Sequence, residues 1–349
     1  MTREELEAAI ARGEQIRGQE FAGAKLAGAR LCGGLFEKVS FAGADLTGAD
    51  LRESVFTAAD FKGAVLHRAQ LSRALFTQSG LQGATFAGAD MARANFIHVD
   101  LEKAVLAGVR LEFTVLNQCR LMQVDFSGTE FFKTVMLEAQ VTGAKFNGAR
   151  MQSVVLMNGD FSGCDFRGFS AQQAFLQGGK FGGMDLSGLS LVACQLRNCD
   201  LVGVKFRGAM LEKTGFMESK LKGSDFSGAR LANAVFSGAD LEDADLSGCD
   251  LSQAHFQKAR LVRARLDKSR LDMAQLTDAD CTAASFKGCE ASYTDFSRSV
   301  LDGADFSDAN LFKAKLHAVR DQATRWPANK AIAYGTDPDQ LEAENWRPA

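Results

Sequence analysis

The chain has 349 residues, 46% of them hydrophobic and 24% charged, the composition of a folded globular protein and not of a disordered one. A net charge of −3 without a long single-sign run argues against a basic nucleic-acid binder. No apolar run reaches the roughly 18 residues of a membrane-spanning helix, and the start "MTREELEAAIARGEQ" is acidic where a secretory leader is basic and then apolar, so a cytoplasmic protein is expected.

The first element is a short helix. Thr2 and Glu5 have the capping-box spacing, and Leu6, Ala9 and Ile10 form one apolar stripe, which predicts a helix over residues 3–12 within an N-terminal cap of 1–18. From Phe21 to Leu316 every fifth residue is then apolar. Of these 60 positions 31 are Leu and 22 are Phe, with no insertion or deletion to break the phase. A period of five fits neither an α-helix nor an alternating strand. The residue two before each centre is small, usually Ala, as at Ala44, Ala49, Ala59 and Ala64. The repeat defines a second segment, residues 19–318. Beyond it, "ATRWPANKAIAYGTDPDQLEAENWRPA" holds both Trp and all three Pro residues. It reads as a cap over 319–349 in which Trp326 and Tyr334 cover the last coil.

Units such as "ADLTG", "ADLED", "ADFSD" and "ANLFK" resemble the pentapeptide-repeat family. That resemblance implies an all-β fold, a right-handed quadrilateral parallel β-helix of four pentapeptides per coil. Sixty repeats would make 15 coils, about 70 Å long at a sheet spacing near 4.8 Å. The physics agrees: one five-residue unit cannot bury its own centre, so inward residues must match at 20-residue spacing. Phe36, Phe56, Phe76 and Phe96 do so, as do Phe126, Phe146 and Phe166. Where the centre shrinks to Ala171, the small position grows to Phe169, which suggests volume compensation. Naming the sides one to four from Phe21, Leu26, Leu31 and Phe36, Gly follows the centre by two residues in 10 of 15 coils on side one and 12 of 15 on side two. Type II corners are therefore expected after sides one and two, and glycine-independent corners after three and four.

Little in the chain looks catalytic. Of the eight cysteines, Cys119, Cys164, Cys194, Cys199, Cys249 and Cys289 fall in the small inward slot and Cys281 at a centre, leaving Cys32 outward. They read as buried filler, without the spacing of a metal site. His67, His98, His255 and His317 all fall on outward positions, scattered among coils, and read as solvated surface. Neither a phosphate loop nor a nucleophile elbow is present, so no catalytic residue, metal or cofactor is expected, and the protein is not expected to be an enzyme.

Function is then sought on the outward columns. On side one the position before the centre runs Asp160, Lys180, Asp200, Lys220, Asp240, Arg260, Asp280. On side three, Arg110, Glu130, Arg150 and Arg230, Asp250, Arg270, Glu290 alternate likewise, as ladders of exposed ion pairs. Side four differs. Its column reads Leu35, Val55, Leu75, Asn95, Val115, Val135, Val155, Phe175, joined by Ile97, Leu137 and Met157 and, at the adjoining corner, Phe113 and Phe132. This pattern predicts a flat apolar protein–protein interface, used by a protein partner or by a second copy in a homodimer. The opening "ARGEQIRGQEFAGAKLAGARL", followed by unbroken repeats, is similar to pentapeptide-repeat proteins associated with bacterial type VI secretion loci, which look like accessory or adaptor proteins. A rigid scaffold or adaptor is the expected function. The alternative is drawn from family members that resemble B-DNA in shape and acidity and inhibit or protect DNA gyrase, but here Lys and Arg interrupt the carboxylates.

Overall fold

A computed structural model describes residues 1–328 and 330–346. Within the expected C-terminal cap, residues 329 and 347–349 lie outside the described residues. The chain resolves into two compact units, Met1–Gly179 and Lys180–Ala349. Each is a parallel β-solenoid whose rungs pair at 20-residue spacing. The reason is visible in the backbone. The amide of each centre donates to a carbonyl of the following turn, as Phe41 N to Asp60 O at 2.6 Å, and the amide before it to a carbonyl of the preceding turn, as Asp60 N to Val39 O at 2.9 Å. Each turn thereby satisfies its neighbours' peptide groups, which an isolated pentapeptide could not do for itself.

In the first unit side four forms the longest sheet. Its strands are Gln15–Arg17, Leu35–Glu37, Val55–Thr57, Leu75–Thr77, Asn95–Ile97, Val115–Asn117, Val135–Leu137 and Val155–Leu156, with Phe175 bridged to Val155. Side three adds Arg110–Glu112, Glu130–Phe132, Arg150–Gln152 and Ser170–Gln172. In the first unit the side-four stack runs from Gln15 to Phe175, about nine turns, and it opens one rung before the 15 coils counted from Phe21, so that count is revised at its start. Ile16 is the physical cause. It is buried at a centre position, and its strand pairs in register with Leu35–Glu37, although its neighbours do not spell the repeat.

The interior columns hold as expected. Phe36, Phe56, Phe76 and Phe96 stack at 4.8, 4.7 and 5.0 Å between ring centroids, and Phe126, Phe146 and Phe166 at 5.4 and 5.3 Å. Phe169 turns inward beside Ala171 and lies edge-on to Phe166 at 5.0 Å. Several buried Ser and Thr in the small slot donate to a carbonyl of the previous turn, as Thr114 Oγ1 to Met91 O at 2.9 Å and Thr134 Oγ1 to Leu111 O at 2.7 Å. At these positions a hydroxyl replaces Ala without stranding a polar group, whereas at Ser299 the buried Oγ has no hydrogen-bond partner among the described residues.

The corners depart from expectation. Glycine corners have positive φ, but so do Glu53, Arg73, Arg93, Phe113 and Lys133 after side three and Ala58, Gln78 and His98 after side four. Every side needs the left-handed residue. The stack holds non-glycine residues there through rung bonds such as Phe113 N to Phe132 O at 2.9 Å, against an intrinsic cost of about 1–2 kcal/mol each.

In the second unit the ladder runs from Lys180 to Tyr334. Trp326 continues the inward column, stacked on Phe306 at 5.0 Å, whereas the Tyr334 side chain is exposed and only its backbone pairs, with Lys315. A helix over Pro338–Asn345 follows, capped by Asp337. It buries His317, correcting the reading of that residue as solvated surface: Nε2 faces Glu344 Oε2 at 3.2 Å and Nδ1 accepts from Asp337 N at 3.2 Å. Among the described residues no helix is long and apolar enough to cross a membrane.

The N-terminal helix, Arg3–Ala11, has the expected reciprocal Thr2–Glu5 cap and buries Leu6 and Ala9. Glu7 ties it to the solenoid, meeting the Arg3 guanidinium at 2.8 Å and the Arg30 amide at 3.0 Å. Those bonds, Arg3 first, hold its pKa down from 4.5 to about 2. A lowered folded-state pKa stabilises docking above the unfolded value and loses that contribution as pH falls from 4.5 through about 2. The protection factors of residues 3–11, corrected for the intrinsic pH dependence of amide exchange, should fall across that window in the native chain. Glu7→Gln should exchange faster at neutral pH and respond less to acid; an unchanged acid profile in the variant would refute the tie.

Candidate protein-interaction face

All the residues expected to form the interface lie in the first unit. Register places Leu35, Val55, Leu75, Asn95, Val115, Val135, Val155 and Phe175 in one outward column, each paired with the next. Ile97 and Leu137 occupy the neighbouring outward column of the same strands, and Met157 follows its last strand. Val55, Leu75, Ile97, Val115, Val135, Val155 and Met157 are half-buried by their rung neighbours, while Leu35, Leu137 and Phe175 are exposed, Phe175 at 51%. Asn95 is the single polar rung between Leu35 and Phe175, its side-chain amide turned to Arg93 O at 3.2 Å.

Strand conformation does not by itself select these residues. On side three of the same turns, Arg110, Glu130, Arg150 and Ser170 open strands paired in the same parallel manner. The equivalent positions on side four are Val115, Val135, Val155 and Phe175. One backbone arrangement thus carries a charged or polar column on one side and an apolar column on the next. Because β-propensity reflects what packs against a pleated surface, the contrast marks a difference in surroundings.

At the corner between the two sides, Phe113 and Phe132 meet edge to face at 5.7 Å. Lys133 Nζ lies 5.3 Å from each ring centroid, and the Arg93 guanidinium lies 5.8 Å from Phe113. Phe113 is 40% exposed, with φ of 53°. The sequence does not display this cluster, because Arg93, Phe113 and Lys133 stand on successive turns of one corner, far apart along the chain.

Carboxylates elsewhere have a local task that the ion-pair reading overlooked. Asp45, Asp60, Asp100 and Asp125 each accept the backbone amide two residues on, at 2.9–3.0 Å. The Asp before a centre thereby fixes its own corner, and hydrogen bonds from Thr47 hold the Asp45 pKa below its usual value. The ladders form as well, with Arg120–Asp100 at 3.0 Å, Arg260–Asp240 at 3.2 Å and Arg270–Asp250 at 3.4 Å. Side-four strands from Val55 to Val155 carry neither device at this position.

The cysteines are free, and burial pushes the Cys119 and Cys249 thiols up to about 12. Cys32 is exposed. Among the described residues no His, Cys, Asp and Glu side chains cluster as a metal site. His67 Nε2 lies 2.9 Å from Thr85 Oγ1 and His255 Nδ1 lies 3.4 Å from Gln257 Nε2, both on the surface.

Residues 189–266 match the family model for a pentapeptide repeat region, and 20–57, 40–78, 69–108, 136–170 and 279–317 match the one for pentapeptide repeats. The chain belongs to the pentapeptide-repeat family. Solved structures similar to this pentapeptide-repeat protein include QnrB1, a plasmid-mediated fluoroquinolone resistance protein, at 21% identity over 57% of this chain and 88% of that one, with a TM-score of 0.38. A pentapeptide repeat protein of the Arabidopsis thaliana thylakoid lumen is 27% identical over 38% and 68% of the two chains, with a TM-score of 0.23. HetL of Nostoc sp. strain PCC 7120, involved in heterocyst differentiation regulation, is 20% identical over 80% and 87%, with a TM-score of 0.14. No curated protein matches the chain.

If side four serves contact and not folding, its outward Val residues should be replaceable. Val135→Thr and Val155→Thr should each change unfolding free energy by less than about 1 kcal/mol in urea titrations. A loss of several kcal/mol would make the column a structural element.

Proposed function

We propose that this pentapeptide-repeat protein is a non-catalytic scaffold or adaptor that binds a protein partner through side four of its first unit. The observation that carries this reading is the contrast between adjacent sides: the same strand geometry bears Arg110, Glu130 and Arg150 on side three and Val115, Val135 and Val155 on side four. Water-facing rungs have no need of Val, whereas a covered one does. Eight rungs at about 4.8 Å and a width on the order of 10–15 Å give roughly 400–600 Å². That is below the roughly 800 Å² per partner of a standard interface, so the face suits a reversible contact. A homodimer through this face is one use. The likeness of the opening residues to proteins of type VI secretion loci makes a secretion component the first heterologous candidate, with the cytoplasm as the working compartment.

The gyrase-directed reading is less well supported by this surface. DNA mimicry needs concentrated negative charge, and here Arg120, Lys145, Arg260 and Arg270 each meet a carboxylate on an adjacent rung.

Val135→Glu combined with Val155→Glu places two carboxylates on neighbouring rungs of the face. Light scattering of the purified protein and affinity capture from native lysate should show lost assembly or a lost partner, with the unfolding midpoint little changed. Unchanged mass together with unchanged capture would overturn the proposal. Gyrase supercoiling inhibition by both wild type and variant would favour the alternative.

A further inference from the structure

The edge-to-face pair at Phe113 and Phe132 with its overlying lysine is not unique. Adding 180 to each number, nine periods of 20, gives Tyr293, Phe312 and Lys313 at the same corner of the repeat in the second unit. The geometry is the same there. Tyr293 and Phe312 meet at 5.7 Å and 88°, as Phe113 and Phe132 meet at 5.7 Å and 87°. Lys313 Nζ lies 5.7 and 5.4 Å from its two rings. Both knuckles sit on left-handed backbone, φ being 53° at Phe113, 49° at Lys133, 59° at Tyr293 and 54° at Lys313. Phe113, Tyr293 and Phe312 are exposed.

Folding alone does not call for this arrangement. The corner accepts Glu53, Ser153 or Gln173 in the same conformation, so it does not require a ring. Exposed bulky residues at positive φ are uncommon, and the other corners of the chain use Gly, Ala or polar residues, with Met273 the one other large apolar side chain among the described residues. The charge is also unusual. Most lysines and arginines around the solenoid meet a carboxylate, as Arg73 meets Glu53 at 3.1 Å and Lys145 meets Asp125 at 3.5 Å. Lys133, Lys313 and Arg93 form no ion pair among the described residues and lie against ring faces. In the first unit the knuckle closes a groove of about 350 Å³ walled by Arg52, Arg73, Arg93 and Phe113.

We propose that each knuckle is a docking site for an acidic, apolar-bearing segment of a partner protein, laying a carboxylate on the lysine and a hydrophobic side chain on the ring pair. Charge complementarity selects that occupant: the cations already lie over aromatic faces and keep their charge available. A nucleic acid fits less well, because a run of phosphates along the groove would meet Glu53 and Glu112, whereas a single carboxylate placed on Lys133 need not enter it. Two copies at one corner position give the protein two sites of one kind, the first at the edge of the side-four face and the second in the other unit.

The test uses full-length protein labelled at Phe and Tyr rings, titrated with a short acetylated and amidated peptide of alternating Glu and Leu while NMR follows the rings. The signals of Phe113, Phe132, Tyr293 and Phe312 should shift saturably, and raised salt should weaken binding. Lys133→Met with Lys313→Met keeps an apolar stem over the rings and removes the charge. It should weaken the peptide by about tenfold at each site, with thermal unfolding measured in parallel to confirm folding. Lys145→Met, which removes a lysine paired with Asp125 and away from the rings, should leave the peptide affinity unchanged. Rings that stay unmoved up to millimolar peptide, a Lys133→Met with Lys313→Met variant that binds as well as wild type, dependence on Lys145, or tighter binding of an oligouridylate than of the peptide would each overturn the proposal.

Discussion

The constraint from which the fold follows is that a single pentapeptide cannot bury its own centre. Phe56 is shielded because Phe36 and Phe76 lie 4.8 and 4.7 Å away on the turns before and after it, not because of anything within its own pentapeptide. The same neighbours supply the peptide hydrogen bonds. Stability is therefore nearly one-dimensional, each turn depending on the two that flank it. Terminal turns lack one of those neighbours. The Arg3–Ala11 helix occupies that place in the first unit, and Trp326 on Phe306 extends the inward column in the second.

Much of this was legible in the sequence because the register from turn to turn is a statement about volume. Centres must match down a column, and they do, even to the exchange of Phe169 for the missing bulk at Ala171. What stayed hidden had non-local causes. The positive φ at Glu53, Arg73 and Arg93 comes from rung bonds to the next turn, so the absence of glycine did not reveal a different corner. Ile16 lacks the repeat's neighbours yet fills a centre, because the turn above it offers paired backbone. His317 was read as outward from its phase, and its phase is right, but the Pro338–Asn345 helix covers it. The side-four column could be read directly once positions were compared one full turn apart, as Val115 with Val135 and Val155. The knuckle required knowing that Phe113, Phe132 and Lys133 are neighbours across a corner.

A solenoid of this kind separates the tasks of its residues more cleanly than a globular core does. The centre and the small residue two before it are committed to packing, and the Asp before a centre is often committed to its corner through a bond such as Asp60 Oδ1 to Lys62 N at 2.9 Å. The remaining outward positions tolerate almost any side chain. A run of Val on one side and of alternating charge on the next then reflects what each side meets. On side three the ion pair between Arg150 and Glu130 spans 3.8 Å between exposed groups and contributes little beyond favouring register.

This separation gives meaning to residues that strain the backbone or spend apolar surface on water. Left-handed backbone at a bulky ring is intrinsically unfavourable, and an exposed ring forgoes burial; at Phe113 and at Tyr293 both occur together. The inward columns gain nothing from either, because these side chains point away from the core. The lysine above each pair recovers part of the loss through its attraction to the ring faces, an effect of about 0.5–1 kcal/mol at exposed sites. A glycine or an asparagine would have met the corner's demand at lower cost. Where the scaffold would accept a cheaper residue and a costlier one stands twice at the same phase, that residue answers to contact and not to folding.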